Sequence, residues 1–480
     1  MPLPNPVRLT ILWLGLGLAR AGVVDRDRVR RTVDLAWPRV VTGLARMSKN
    51  AADAAMVGVA VGPVAIAGVG FAGPFWGLAF TVGGGLAAGT IALVSQRFGA
   101  DEPEELAQAV RSSVLLVLVV TLPMAALFWA VPERLVGVLS SDAEAVALGA
   151  RYLGVVAFGV PLAGLNLVGS RVLIGADDAW TAMVVRGGGA VTNIGLNALF
   201  IFGLGAGVAG AALATVLANV VVTAAFVVGL VRGRCPIAGT FPVTVAPRGR
   251  YVDVGELRDL VAISLPVVGR NGVWTVARFP MLYIVGLFGP TVVAAYVISR
   301  RIIGVMNTPG WGFGTAASSL VGQSLGENDE TTAEAFGREI TLLSVATYVV
   351  SATLVAVLVR PIVVLFVGDP AAPAVDVAVP LVLAGCVSML GQGVTAAAAG
   401  SLDATGDTRW PFYGRALGMF GCSIPASYLG ATTALGVWRL YVGYVLQSVV
   451  PAGVSWYRWS TGKWKAISRT YRPDSAVADD

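Results

Sequence analysis

Asp53 lies in an otherwise largely apolar stretch, Val33 to Val61, that is long enough to cross a membrane as a helix. A carboxylate there costs roughly 2.5–3.5 kcal/mol on insertion scales, so it calls for a cation or an aqueous path. Arg46, Lys49 and Asn50 precede it by seven, four and three residues, which places all four side chains on one helix face. That face must look into the protein or into a wet cavity. Asn193 and Asn197, four residues apart in another apolar stretch, present two amides to one neighbour. The same spacings also fit a permanent Lys49–Asp53 ion pair, with the asparagines as hydrogen-bond glue between helices.

Other chemistries are poorly served. The chain has no histidine, which excludes a histidine relay or metal site. Cys235, Cys386 and Cys422 are scattered without CxxC spacing, so neither a metal centre nor a disulfide framework is expected. Gly83-Gly-Gly85 and Gly187-Gly-Gly189 lack the lysine and the strand–turn–helix context of a phosphate loop and read as close helix packing. With no nucleophile motif either, an enzyme is not expected, and no cofactor is implied.

Composition sets the medium in which Asp53 must be held. Hydrophobic residues make up 56% of the 480 residues and charged ones 13%, and the mean hydropathy is +0.76. These values place the chain among integral membrane proteins, with the lipid bilayer as its main partner. Apolar segments of spanning length have cores near 33–57, 64–95, 109–131, 145–174, 181–203, 208–231, 260–285, 291–321, 336–359, 374–402, 410–430 and 435–457. An all-α protein of twelve transmembrane helices is therefore expected.

The net charge of +6 sits mainly in loops on one side, at Arg26, Arg28, Arg30, Arg31, Arg97, Arg232, Arg234, Arg248, Arg250, Arg409, Lys463, Lys465, Arg469 and Arg472. Only Arg134 and Arg360 fall on the other side, which predicts two cytoplasmic termini in a plasma-membrane protein and argues against nucleic-acid binding. Leu9 to Val24 is apolar but short for a span and precedes a basic cluster, so it reads as an interfacial helix.

The two halves repeat one another. Leu35-Ala-Trp-Pro38 recurs as Ile263-Ser-Leu-Pro266, Gly62-Pro63 as Gly289-Pro290, and Val94-Ser-Gln-Arg-Phe-Gly99 as Val321-Gly-Gln-Ser-Leu-Gly326. Gly175-Ala-Asp-Asp178 similarly faces Ala404-Thr-Gly-Asp407, so the offset stays between 227 and 229 residues (290 − 63 and 407 − 178). The expected organisation is an N-terminal segment over 1–31, six helices over 32–231, a polar linker over 232–256, six helices over 257–459 and a tail over 460–480. Six spans per half give both halves one orientation, related by a pseudo-two-fold axis along the membrane normal. Two such lobes suggest alternating access, an architectural inference that also fits a flippase. The acidic stretches Asp101 to Glu105 and Glu327 to Glu334 occupy equivalent places and read as helix N-termini.

Leu35-Ala-Trp-Pro38, Asn50-Ala-Ala-Asp53 ending in Val57-Gly58, Gln96-Arg-Phe-Gly99 and Gly207-Val-Ala-Gly-Ala-Ala-Leu-Ala-Thr215 resemble the multidrug and toxic compound extrusion (MATE) family. The resemblance spans about residues 30–458 and is closest to the prokaryotic DinF-like branch of the multidrug/oligosaccharidyl-lipid/polysaccharide exporter superfamily. It implies two six-helix lobes forming a V and a monomer that exports amphipathic, often cationic compounds in exchange for Na⁺ or H⁺. It also implies a coupling site in the N-lobe: Asp53 as the acid of the first helix, Asn193 and Asn197 on the fifth, Thr215 on the sixth, Tyr152 on the fourth and Pro38 as a bending proline.

With the Thr215 hydroxyl included, this set offers oxygen ligands and one formal charge, which suits Na⁺ as a hard cation or a single proton. Two departures from the family pattern stand out: Asn197 occupies the place of a second acid, and Lys49 that of an aromatic residue. Lys49 could act as an internal cationic competitor for Asp53. Arg46, Lys49 and Asn50 share its helix face as cavity or gating candidates, and Pro38 is a candidate for a kink that responds to the charge state of Asp53.

The C-terminal half has Arg270, Arg278, Arg300 and Arg301 but no comparable buried acid, so the family's C-lobe cation site has no counterpart. Those arginines suit lipid phosphate, a substrate anion or helix ends. The alternative function is a lipid-linked oligosaccharide, polysaccharide or lipid flippase of the same superfamily.

Overall fold

A computed structural model describes residues 5–472, so 1–4 of the expected N-terminal segment and 473–480 of the expected tail lie outside the described residues. Helix α1 (Pro6–Arg20) is capped by the Asn5 side chain, which accepts from the Val7 N–H at 2.9 Å. Its 15 residues reach about 22 Å, short of the roughly 30 Å hydrocarbon core. Only Ile11 and Gly15 are buried, the latter facing Val29 and Leu343.

The first repeat comprises α2 (Arg26–Val61), α3 (Pro63–Gly99), α4 (Pro103–Ala130), the short α5 (Pro132–Gly137), α6 (Ala143–Val156), α7 (Gly159–Gly175), α8 (Ala179–Asn197) and α9 (Gly207–Arg232). Helix α8 continues into a π-helical turn, Ala198–Gly203. A small hairpin pairs Arg234–Cys235 with Gly239–Thr240 before the second repeat. That repeat comprises α10 (Val254–Val276), α11 (Arg278–Leu287), α12 (Pro290–Met306), α13 (Thr308–Gly326), α14 (Glu330–Val357), α15 (Val359–Val367), α16 (Pro373–Ala404), α17 (Arg409–Ala416), α18 (Ile424–Thr432) and α19 (Trp438–Ser460). A second π turn, Leu417–Ser423, joins α17 to α18, and α20 (Trp464–Ser468) ends the described helices.

Proline starts α3, α4, α5, α12 and α16, where its missing N–H costs nothing and its φ suits the first turn. Among the described residues, seven helical stretches are long and apolar enough by themselves to cross a membrane, and the pair α6 and α7, bent by 51°, makes an eighth. The other expected spans are charged or broken. Helix α2 carries Arg46, Lys49 and Asp53, α19 carries Arg439, Gln447 and Arg458, the segment 291–321 breaks after Asn307 beside Pro309, and 410–430 is interrupted by its π turn. Grouped at these breaks, the helices form the all-α, twelve-span membrane architecture.

Backbone conformation repeats along with sequence. Gly62 and Gly289 have φ of 106° and 97°, Asp101 and Asn328 of 57° and 60°, and Asp177 and Gly406 of 65° and 79°. Each pair lies in the left-handed region, which glycine adopts freely and which Asn and Asp tolerate better than other residues. Both acidic stretches do begin helices: Glu104 and Glu105 lie in the first turn of α4 and Glu330 in that of α14.

By internal contact the chain divides into one compact unit of residues 41–268 and another of 1–40 with 269–480. The expected halves therefore differ from the units at their leading edges: 32–40 pack with the second repeat and 254–268 with the first. Both divisions fall within three residues of a proline that interrupts its helical hydrogen-bond ladder, Pro38 in α2 and Pro266 in α10. Polar contacts hold each leading segment. Arg28 forks onto Glu339 at 2.7 and 3.0 Å, while Glu256 meets Arg97 at 2.7 Å and Ser264 donates to the Leu86 carbonyl at 3.1 Å.

In the 41–268 unit, α3 runs against α6 and α7. Gly68 and Gly149 let two of those backbones touch, since a Cβ on Gly149 would sit 2.6 Å from the Gly68 carbonyl oxygen. In the other unit, α16 is surrounded by α12, α13, α14 and α19, with Tyr348, Leu381, Val382 and Leu440 in its fully buried core.

Candidate functional site

A polar cluster inside the 41–268 unit gathers on Asp53. Val57, one turn later on α2, is buried among Ala65, Ile201, Val208 and Ala211, and this packing sets the rotation of the helix. Asp53 thereby faces the last turn of α8. There Asn197 donates through Nδ2 to Asp53 Oδ1 at 2.5 Å, while Lys49 Nζ lies 2.6 Å from Oδ2. Asn197 is also the last residue before the π turn, whose wider winding changes the direction of the following side chains.

Asn193, one turn earlier, belongs to the same cluster, and both asparagines are wholly buried. The Asn193 amide is satisfied with its oxygen accepting from the Thr215 N–H at 3.2 Å, which brings its nitrogen to 2.9 Å from Asp53 Oδ1. The Thr215 hydroxyl lies 3.2 Å from the same amide. Tyr152 of α6 lies close enough to interact with the Thr215 hydroxyl and with the Asp53 charge, and its ring packs against Val57, Ile201 and their neighbours. Asp53 is thus ringed by three nitrogen donors. Against that, the Asn197 side-chain oxygen is buried with no hydrogen-bond partner.

Such an orphan acceptor beside a carboxylate is costly unless it serves a cation, a proton carrier or a water. Among the described residues no three His, Cys, Asp or Glu side chains come together, so the cluster carries one formal negative charge. Its oxygens are those of one acid, two amides and one hydroxyl. They suit Na⁺ or a proton far better than a divalent ion.

The remaining sequence candidates lie outside this cluster. Asn50 is exposed. On a helical wheel Lys49 and Asn50 fall roughly 100° apart with Asp53 between them, and the cluster lies on the Lys49 side. Arg46 stacks its guanidinium over Phe80, 4.7 Å from the ring centroid. Pro38 belongs to the other compact unit.

A polar file along α9 was not anticipated. Asn219 donates to the Thr215 carbonyl at 2.8 Å, Asn166 of α7 donates to Asn219 Oδ1 at 2.9 Å, and the Thr223 hydroxyl donates to Asn166 Oδ1 at 2.8 Å. The spacing of Thr215, Asn219 and Thr223 by four carried the signal, since these are successive turns of one face.

The expectation that the second repeat lacks buried acids is overturned. Glu339, Asp403 and Asp407 are all nearly inaccessible, and each is paired with an arginine: Arg28, Arg270 and Arg458. Asp403 and Asp407 flank the end of α16, beside the loop that starts at Thr405, which is why they read as solvated in sequence. Their charges are internally neutralised.

Two repeats of six membrane-spanning segments, one of them enclosing a carboxylate with amide and hydroxyl partners, define a polytopic α-helical membrane protein of the transporter class. The MatE family model matches residues 38–199 and 266–429, one match per repeat, and the chain belongs to that family. It is 28% identical over 446 residues to the probable multidrug resistance protein NorM of Bradyrhizobium diazoefficiens, covering 89% of this chain and 92% of that one. It is 25% identical to the multidrug resistance protein PmpM of Pseudomonas aeruginosa, covering 86% of each. A crystal structure of a MATE protein in the bent conformation shares the fold with a TM-score of 0.83 at 22% identity, covering 96% of this chain and 99% of that one.

Proposed function

We propose that this chain is a secondary active multidrug exporter that drives amphipathic organic compounds out of the cell by antiport against Na⁺ or H⁺. The observation that carries the reading is the Asp53 cluster: a membrane-embedded carboxylate held by Lys49 and two buried amides, with an unpartnered amide oxygen beside it. The curated relatives named as multidrug resistance proteins support the substrate class.

The residues divide the work as follows. Asp53 supplies the charge that attracts the ion. Asn193 and Asn197 present nitrogen to Asp53 when Lys49 is bound, and a half-turn of each amide presents oxygen to a cation in the same place. Thr215 adds a hydroxyl oxygen, and Tyr152 closes the side towards α6. Lys49 is the resident counter-charge. An arriving ion displaces it from Oδ2, so the site never exposes an uncompensated carboxylate to the hydrocarbon. For this exchange to do work, the ion must bind one cavity orientation better than the other. One elementary charge moving through 100 mV supplies roughly 2.3 kcal/mol. Because the cluster is complete within one unit, we read the protein as working as a monomer, in the plasma membrane with both termini cytoplasmic.

The test is uptake of rhodamine 123 into everted vesicles, driven separately by a Na⁺ gradient and by a pH gradient. The driving ion is the one whose ionophore collapses uptake, and Asp53→Asn is expected to abolish that dependence. Unchanged ion dependence in Asp53→Asn would rule out the coupling role.

A further inference from the structure

The second repeat holds a buried cation paired with no acid among the described residues. Arg415, on α17, is 4% exposed. Its Nη1 reaches the Gln447 carbonyl and its Nη2 the Gln392 side-chain oxygen, both at a long 3.4 Å. Its Nε is buried with no partner. Asp403, the buried acid at the end of α16, is already taken, since Arg270 grips both of its oxygens at 3.0 and 2.6 Å. Arg270 and Asp403 cancel, the two arginines repel one another, and a net positive charge remains on Arg415.

Arginine stays protonated in proteins, so this charge is not removed by losing a proton at ordinary pH. Leaving a guanidinium desolvated with an empty donor is costly, and its fork is shaped for two oxygens of one anion. Beside it stands an aromatic wall. The Arg415 guanidinium lies over Trp274, 5.0 Å from the ring centroid, and Phe412 packs with Trp274 around Val273, Ala277 and Met419. Trp274, Gln392 and Arg270 all keep partial solvent access.

We propose that Arg415, supported by Arg270 and Gln392, is a binding site for an organic oxyanion, a carboxylate, sulfonate or phosphate group carried on an aromatic or aliphatic body that lies against Trp274 and Phe412. The anion accepts from Nε and from one terminal nitrogen of Arg415, which completes the donor set that the protein leaves open. This site deepens the exporter reading by adding a substrate class, amphipathic anions and zwitterions, and it rests on residues separate from the Asp53 cluster.

The test uses the full chain in phosphatidylcholine nanodiscs and reads binding of carboxyfluorescein by fluorescence anisotropy. Saturable binding is expected, with affinity reduced at least tenfold in Arg415→Met. Gln392→Glu is the second variant. It places a carboxylate beside the guanidinium, so it should block carboxyfluorescein binding to a similar extent while the thermal midpoint stays level or rises, which separates occupancy of the site from misfolding. In discs containing phosphatidylglycerol, competition assigns the site to lipid headgroups and its absence assigns it to soluble anions; both keep the oxyanion site. No saturable binding to the wild type, or equal binding in both variants, would overturn the proposal. Ion-driven rhodamine 123 export in Asp53→Asn is read independently, so failure of the exporter reading and failure of the anion site are distinguishable.

Discussion

Replacing Lys49 by Met should make the cation site tighter and the transporter slower. The Lys49–Asp53 pair spans 2.6 Å with side chains 19% and 18% exposed, so water reaches it but does not surround it. Two unit charges at 4 Å attract by about 4 kcal/mol at an effective dielectric of 20. Desolvation and the ordering of a long lysine remove most of that, leaving a net value near 1–1.5 kcal/mol for a partly accessible pair. An ion that competes with Lys49 for Asp53 Oδ2 must overcome this net value on every cycle. Methionine keeps the apolar stem and removes the competitor, so the half-saturating concentration of the driving ion should fall about tenfold, 1.4 kcal/mol being one decade. Release to the cytoplasm slows for the same reason, and the maximal rate should drop. The assay is dye transport in proteoliposomes across a range of Na⁺ at fixed pH and a range of pH without Na⁺. If the half-saturating concentration of the driving ion is the same in Lys49→Met and wild type, Lys49 is not a competitor, and its ion pair with Asp53 is purely structural.

Three further outcomes follow from the structure. Asp53→Asn should retain folding and dye binding yet lose ion-driven transport, measured in the vesicle assay above. Gly149→Ala should destabilise by about 1–3 kcal/mol, because its Cβ would meet the Gly68 carbonyl oxygen at 2.6 Å, whereas Gly154→Ala, with its nearest neighbour at 3.8 Å, should leave the thermal midpoint within about 1 °C. Asp329→Ala should cost about 1 kcal/mol by removing the cap of α14. The Thr332 hydroxyl and N–H hold the Asp329 carboxyl below its ordinary value of 3.8, so the wild-type advantage is present above that value and fades as pH falls through the lowered one. Thermal midpoints of the two proteins compared from pH 7 to pH 3 check this.

Much of the fold was legible because lipid leaves the chain few options. A backbone in hydrocarbon must be helical, so apolar runs of spanning length translate directly into helices, and the repeated Gly-Pro and Leu/Ile-x-x-Pro positions marked the duplication. Asp53 stood out for the same energetic reason, and Asn193 and Asn197 followed from a spacing of one turn. Asn50 shows where such reasoning stops. Periodicity defined an arc of α2, but the packing of Val57 against Ile201 and Val208 chose which edge of that arc faces inward. The assignment of residues 32–40 and 254–268 to compact units was likewise invisible, since it depends on contacts such as Arg28–Glu339 and Arg97–Glu256 between residues more than 150 positions apart. Asp403 was obscured for a local reason: an acid in the last turn before a loop looks solvated until its arginine is seen.

The two repeats have kept a backbone and exchanged their chemistry. At the repeat offset of 228, Asp53 corresponds to Met281, and at 229, Asn193 and Asn197 correspond to Cys422 and Ala426. None of these can hold a hard cation through oxygen, so the second repeat has no copy of the Asp53 cluster even though its positive-φ turns and π turn are preserved. Among its described residues each buried acid is matched by a cation, and Arg415 is left over. One repeat holds a carboxylate whose resident counter-charge, Lys49, an ion can replace, and the other a guanidinium paired with no acid among the described residues. On the proposals above, the first is met by the driving ion and the second by the substrate. A molecule carrying an acidic group on an aromatic frame would then bind where no ion competes for the same charge, and coupling would act through the conformational equilibrium that both sites bias.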